Sequence, residues 1–354
     1  MLKRTVLFLS LFVLVSVLTA GCGTQTSTSS GPETIPVRTG VYTYLGTQSP
    51  GDTWSWTIGE GTLSGTNETN GYRYSGTFVS YASGFNKLTV TDSTDPSVPL
   101  DGTAVAYFLE YPNTMLVVAG KDDNPMVCTA KAAAAPSAGR YNFVNIPWPG
   151  WSAASSAYGT VEVTLSSGLY NFNVRTYDLS GVTTDVSVEA GFSFSDGRLS
   201  KSGNPLQVFL TPSGAFFGDS GPGSGGFCGA ANQSIDLSDL VSKEYRGVMF
   251  SYDASTGTNL GTTAIGAEPN PSLTNALTGF GFEDVELNTR QSDTATVQFG
   301  AQDASGVLSG TLQEPGGAAL NFKMVVAKVS GKYIVLGISQ DSSGNPQNML
   351  LVEI

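Results

Sequence analysis

Residues 216–229 read FFGDSGPGSGGFCG. Gly218-Asp219-Ser220-Gly221 places a serine beside an acid between two glycines, a setting in which a hydroxyl acts as a nucleophile. Gly221-Pro222-Gly223-Ser224-Gly225-Gly226 fits a loose G-x-G-x-x-G, the pattern of a phosphate-cradling turn. The first chemistry needs a base to take the serine proton. The chain has no histidine. That removes Ser-His-Asp and Cys-His catalysis, His-ligated zinc or haem, and imidazole proton transfer. A Ser-Lys pair needs no histidine, but S-x-x-K occurs nowhere in the sequence. The phosphate turn needs a strand before it and a helix after it, and here Phe227-Cys228 and more glycine follow. The stretch therefore reads as a hairpin loop, matched about 100 residues earlier by Gly120-Lys121-Asp122-Asp123-Asn124-Pro125.

Other residues with chemical capacity divide in the same way. Asp122-Asp123-Asn124 offers oxygen ligands but lacks the spacing of a calcium loop, and reads as a solvated turn. The 29 acids must bring some carboxylates together in space, yet no motif singles out a hydrolytic pair. Trp54-Ser55-Trp56-Thr57-Ile58 alternates and reads as a core-facing strand. Pro147-Trp148-Pro149-Gly150-Trp151 is a proline-interrupted loop, whose Trp148 and Trp151 either cap a barrel end or form a stacking platform for a sugar or partner protein. Cys128 and Cys228 stand at matching places in two repeats. They form either two buried thiols or a disulfide, which would add up to ~4.7 kcal/mol by closing a long loop. Without histidine the cysteines make no zinc site, so neither metal nor cofactor is expected.

The N-terminus carries an address. MLKRTVLFLSLFVLVSVLTAGC has two cations, an apolar run from Thr5 to Leu18 too short to span a bilayer, and small residues after it. Leu18-Thr19-Ala20-Gly21-Cys22 resembles the lipobox of bacterial lipoproteins, with Thr19 where leucine is commonest. The resemblance implies a signal peptide over 1–21, cleavage before Cys22, and acylation of Cys22. Two or three acyl chains anchor a protein where one does so only marginally. Gly23 is not the aspartate of inner-membrane retention, which points to the outer membrane where the host has one. Residues 22–37, rich in Ser, Thr and Gly, read as a tether with a reach of roughly 20 Å. The chain carries −12 at pH 7, and losing Lys3 and Arg4 makes it more acidic still. Nucleic acid and anionic headgroups are therefore unfavoured partners.

The body repeats. Gly40-Val41-Tyr42-Thr43-Tyr44-Leu45 matches Gly139-Arg140-Tyr141-Asn142-Phe143-Val144, and a third copy begins at Gly247-Val248-Met249-Phe250. Only 13 % of residues are charged, against about 25 % in typical soluble domains, and glycine contributes 43 residues. Val161–Leu165 and Tyr170–Val174 alternate around Ser166-Ser167-Gly168, an antiparallel hairpin. The expectation is all-β: antiparallel meanders of six to eight strands, closed as barrels or folded as sandwiches, in repeats of about 100 residues. The units span 38–130, 138–230 and 247–354, with residues 231–246 a linker holding a short helix capped by Ser234. The function expected is non-enzymatic binding or scaffolding on a bacterial cell envelope, reached through the membrane anchor, with an envelope protein or glycan as partner. A carbohydrate- or small-ligand-binding module is one alternative, and an Asp/Glu-based hydrolase a second.

Overall fold

The computed structural model describes residues 41–48, 52–120, 126–146, 157–211, 213–221, 225–253, 255–256 and 258–354. They form three closed eight-stranded antiparallel barrels in chain order. Barrel 1 is built from β1 (Tyr42–Gln48), β2 (Asp52–Ile58), β3 (Thr62–Asn67), β4 (Arg73–Ser80), β5 (Asn86–Ser93), β6 (Val105–Tyr111), β7 (Met115–Gly120) and β8 (Met126–Ala130). Barrel 2 comprises β9 (Gly139–Ile146), β10 (Ala157–Ser166), β11 (Leu169–Asp178), β12 (Thr183–Ser195), β13 (Arg198–Ser200), β14 (Gln207–Leu210), β15 (Ala215–Asp219) and β16 (Gly226–Ala231). A one-turn helix, α1 (Leu237–Leu240), precedes barrel 3. That barrel contains β17 (Tyr245–Tyr252), β18 (Asn259–Pro269), β19 (Ala276–Asp284), β20 (Thr289–Gln302), β21 (Leu308–Gln313), β22 (Leu320–Val329), β23 (Lys332–Gln340) and β24 (Pro346–Glu353). Each barrel is a meander whose last strand pairs with its first. Closure decides between barrel and sandwich, and it removes the open strand edges.

Local chemistry sets the hairpins. Ser167-Gly168, Asp196-Gly197 and Ser330-Gly331 each place two consecutive residues at positive φ, from 52° to 89°. They join strands paired up to the flanking residues. This is the two-residue turn whose twist matches that of the strands, and glycine carries its second position. Longer turns use aspartate. The Asp178, Asp303 and Asp341 carboxylates each accept the amide two residues on, Ser180, Ser305 and Ser343, at 2.8–2.9 Å. Many of the chain's acids are thus turn acceptors. A hydrogen bond from the Ser180 hydroxyl, helped by the Val182 amide, holds the Asp178 carboxyl below its usual range.

Each lumen has its own apolar core, and a fourth lies between the barrels. Tyr44, Trp54, Trp56, Phe108 and Cys128 fill barrel 1, with the two indoles stacked at 5.3 Å between centroids. The fourth core collects outward residues of all three barrels, among them Leu45, Val127, Val144, Phe217, Cys228, Val248, Leu336 and Leu350. Strands that pack on both faces read as unbroken apolar runs. Every residue of β8 and β15 is buried, as are seven consecutive residues of β23.

Polar groups fix the docking. Arg246, only 1 % exposed, donates from Nε to the Ser83 carbonyl at 3.0 Å and lies over Phe280 and Phe282. Glu286 of barrel 3 accepts from Lys87 at 2.7 Å, Tyr107 at 2.5 Å and Tyr81 at 3.0 Å, all of barrel 1. Asn348 donates to the Asn145 carbonyl at 2.8 Å, tying barrel 3 to barrel 2.

Two expectations need correction. The helix before barrel 3 is not capped by Ser234. It is α1 alone, capped by the Asp236 carboxylate on the amides of Ser238 and Asp239, and Tyr245 already belongs to β17. Cys128 and Cys228 are not at equivalent positions and do not pair, since both are free and buried. Cys128 lies opposite Gly46, facing the lumen of barrel 1, whereas Cys228 lies opposite Val144, in the core between barrels. With Leu45 matched to Val144, the true counterpart of Cys228 is Thr129, one residue along and on the other face. Desolvation pushes both thiols well above their ordinary range.

Candidate functional site

The lumen of barrel 2 holds a cavity of about 510 Å³. Pockets that enclose drug-sized molecules run roughly 300–1,000 Å³. Phe143, Val161, Val163, Phe172, Val208 and Phe227 form its apolar wall. These are alternate residues on successive strands, the inward positions of a pleated barrel.

The space exists because of how the aromatic rings lie. Phe143 is paired across the ladder with Gly159, Phe227 with Gly218, and Phe216 with Gly229. A Cβ added to any of these glycines would fall against the opposing phenyl ring. The rings therefore lie along the wall, in the space a cross-strand side chain would occupy, rather than projecting to the axis. Phe143 and Phe227 are tilted neighbours at 5.6 Å, and Phe216 meets Phe227 edge-on at 6.0 Å. Aromatic cover of a strand glycine is a known device of curved sheets.

The floor is made by the chain that arrives from barrel 1. Ala132 is buried in the lumen core, and Pro136 lines the cavity. Tyr141 donates to the Ser137 carbonyl at 2.9 Å and Tyr170 to the Pro136 carbonyl at 3.2 Å. The other end is polar. Asn145, Thr176, Ser187, Asn204 and Ser220 line the cavity there, and Glu189 sits one inward position deeper than Ser187. Glu189 is paired across the ladder with Phe172. Its Oε2 accepts from Asn204 Nδ2 at 3.0 Å. Asn204 is itself set by the β13–β14 turn, where its Oδ1 accepts the Leu206 amide at 2.9 Å.

Ser220 reaches this rim from the glycine-rich loop singled out in the sequence. Asp219 Oδ1 accepts the Gly221 amide at 2.7 Å, and the Ser220 amide donates to the Gly225 carbonyl at 3.1 Å. Gly221 is at φ +93°, and a Cβ there would stand 2.5 Å from Pro205. The Asp-Ser-Gly triplet is a hairpin turn packed on the neighbouring loop, with its serine facing the cavity. Glu189 is the one carboxylate among the described lining residues, so this lumen offers no paired acids of glycosidase type. Among the described residues no three His, Cys, Asp or Glu side chains cluster as a metal site.

Cys22, Trp148, Trp151 and residues 121–125 lie outside the described residues. Sequence reasoning missed Glu189, Asn204 and the Phe–Gly pairs. A signal was present in β12, where alternation is inverted. Val186 and Val188 face out, 56 % and 70 % exposed, while Ser187 and Glu189 face the lumen. A polar inward face on a barrel strand breaks the usual pattern, and such breaks mark sites.

No protein-family model and no curated protein matches the chain. Among solved structures it is similar to a protein of unknown function, of the DUF3598 family, from Nostoc punctiforme PCC 73102. The identity is 9 %, over 89 % of this chain and 96 % of that one, with a TM-score of 0.22.

Proposed function

We propose that this chain is a lipid-anchored binding protein of a bacterial cell envelope, holding a small and mostly apolar molecule in the lumen of barrel 2 without covalent chemistry. The observation that carries this reading is the open, phenyl-walled cavity, closed at the floor and polar at the rim. Eight-stranded barrels are just wide enough either to fill with side chains or to hold one small ligand. The anchor rests on the lipobox resemblance at Cys22, and the tether over 22–37 would let the barrels stand off the membrane.

The binding test uses N-phenyl-1-naphthylamine, a neutral dye that fluoresces in apolar surroundings. The full chain should enhance its emission saturably, with one site. Val163→Trp, which fills the lumen, should remove the enhancement. Saturable binding that survives this substitution would place the dye elsewhere and sink the reading. The mass of the native N-terminal peptide tests the anchor: a diacylated Cys22 is expected, and an unmodified or differently placed N-terminus would refute it.

A further inference from the structure

The charge pattern of the lumen narrows what it takes. We propose that the ligand of barrel 2 is a cationic amphiphile, an apolar body carrying a single protonated amine that pairs with Glu189. This rests on the binding reading above. The described residues lining the cavity include one acid, Glu189, and no lysine or arginine. Among the described residues its one hydrogen bond is neutral, from the Asn204 amide to Oε2. A carboxylate beside a phenylalanine, in a partly enclosed apolar space, loses hydration when a ligand displaces water. An ammonium offsets that loss, a neutral hydroxyl does so weakly, and a second carboxylate adds repulsion.

The surroundings offer an amine acceptors at the polar end of the cavity. An ammonium brings three donors and no acceptor. Glu189 supplies the charge. The Ser187, Thr176 and Ser220 hydroxyls and the Asn145 side chain line the same polar end and supply further acceptors. Below them the lining is apolar down to Pro136. A ligand therefore enters body first, with its cationic end held one layer inside the rim. The position of Glu189 also explains the inverted alternation of β12. An inward acid on a strand whose valines face water has no packing role that an inward valine would not serve better.

The experiment compares three probes of one shape on the full chain: 2-(1-naphthyl)ethylamine, 2-(1-naphthyl)ethanol and 1-naphthylacetate. Binding is read by calorimetry at neutral pH. The amine should bind at least about tenfold tighter than the alcohol, and the acetate weakest. Glu189→Gln should bring amine and alcohol to within about twofold while leaving the alcohol unchanged. Glu162→Gln removes an equal charge from the exposed outer face of β10 and should leave the tenfold preference intact, which separates the site from the general acidity of the chain. Acetate binding as tightly as amine, or a preference that survives Glu189→Gln, would overturn the charge assignment while leaving the cavity reading standing. Failure of all three probes to bind would overturn both. A wild-type ranking without the amine preference overturns the charge assignment even if Glu189→Gln fails to fold.

Discussion

Barrels 2 and 3 have the same number of strands, the same meander, and a segment at one end that plugs the lumen, yet one encloses a cavity of about 510 Å³ and the other a continuous apolar core. In barrel 3 the plug is α1 and its flank, with Leu240 and Val241 buried in the lumen core and Tyr245 donating to the Leu240 carbonyl at 2.6 Å. Above it Phe299, Phe322, Met324, Met349 and Leu351 meet around the axis. Methionine is unbranched and adapts to irregular gaps. Met324 closes over Gly310, where an added Cβ would meet both its terminal methyl and the Gln298 carbonyl. Barrel 2 has flat phenyl rings over its glycines instead of flexible thioethers, and rings held to the wall leave the axis free. Strand number fixes the bore of a barrel; side-chain shape decides whether anything else fits inside.

The contrast extends to the contacts outside the barrels. Barrel 3 is fastened to barrel 1 through the buried Arg246 and the three donors on Glu286. Barrel 2 joins barrel 1 in the shared apolar core, where β8 lies against β14 and β15, and adds exposed or half-exposed ion pairs, Lys131 with Asp196 and Arg198 with Glu68.

Emptying the full barrel should give the largest effect. Met324→Ala should destabilise the chain by about 2–5 kcal/mol, the range for large-to-small core changes, read from urea unfolding. A cost below ~1 kcal/mol would mean that the lumen of barrel 3 is not packed as described. The next test pairs two glycines. Gly310→Ala must displace backbone as well as Met324 and should cost about 1–3 kcal/mol, as overpacking does. The atoms nearest a Cβ at Gly218 belong to the Phe227 ring, which can swing into the cavity. Gly218→Ala should cost less stability than Gly310→Ala but reduce dye binding several-fold. Equal stability losses with unchanged dye binding would break the comparison.

Acid should loosen barrel 3 from barrel 1. Hydrogen bonds from Lys87, Tyr107 and Tyr81 lower the Glu286 carboxyl from its ordinary 4.5 to about 2. A depressed carboxyl stabilises the folded state above its unfolded value and stops doing so as pH falls through the folded one. Stability should therefore decline between about pH 5 and pH 2. Glu286→Gln should flatten that part of the profile, and an unchanged slope would remove Glu286 from the account. The smallest effect belongs to the barrel 1–2 surface. Arg198→Ala should change stability by less than about 1 kcal/mol, as half-exposed ion pairs do. Free thiols give a separate check on barrels 1 and 2. Cys128 and Cys228 should resist a thiol reagent in the native chain and both react after denaturation without reductant.

Much of the architecture was legible because turn chemistry and alternation are local. Ser167-Gly168 between Val161–Leu165 and Tyr170–Val174 is the hairpin the pattern required, with Leu165 opposite Tyr170. The closing runs, such as Met349-Leu350-Leu351-Val352, read as strands but carried more than that. Their lack of alternation records burial on both faces, lumen on one side and neighbouring barrels on the other. Closure itself is a pairing of strands some 80 to 110 residues apart, as Gly46 with Cys128 or Val248 with Leu350, and no local pattern encodes it. The mismatch of Cys128 and Cys228 has the same origin. A repeat aligned by eye tolerates a shift of one, and on a strand one residue is the whole difference between inside and outside. Glu189 was hidden because a lone acid in a run of Val and Ser looks like any exposed strand.

The eight residues between barrels 1 and 2 do more than connect. Pro136 and Ser137 hold the hydroxyls of Tyr141 and Tyr170, and Ala132 sits among the side chains they close over. Cut free at Gly139, the second barrel would be a pipe; joined to its predecessor it is a cup. Closing the floor of the second lumen and joining the first two barrels thus fall to one continuous stretch of chain.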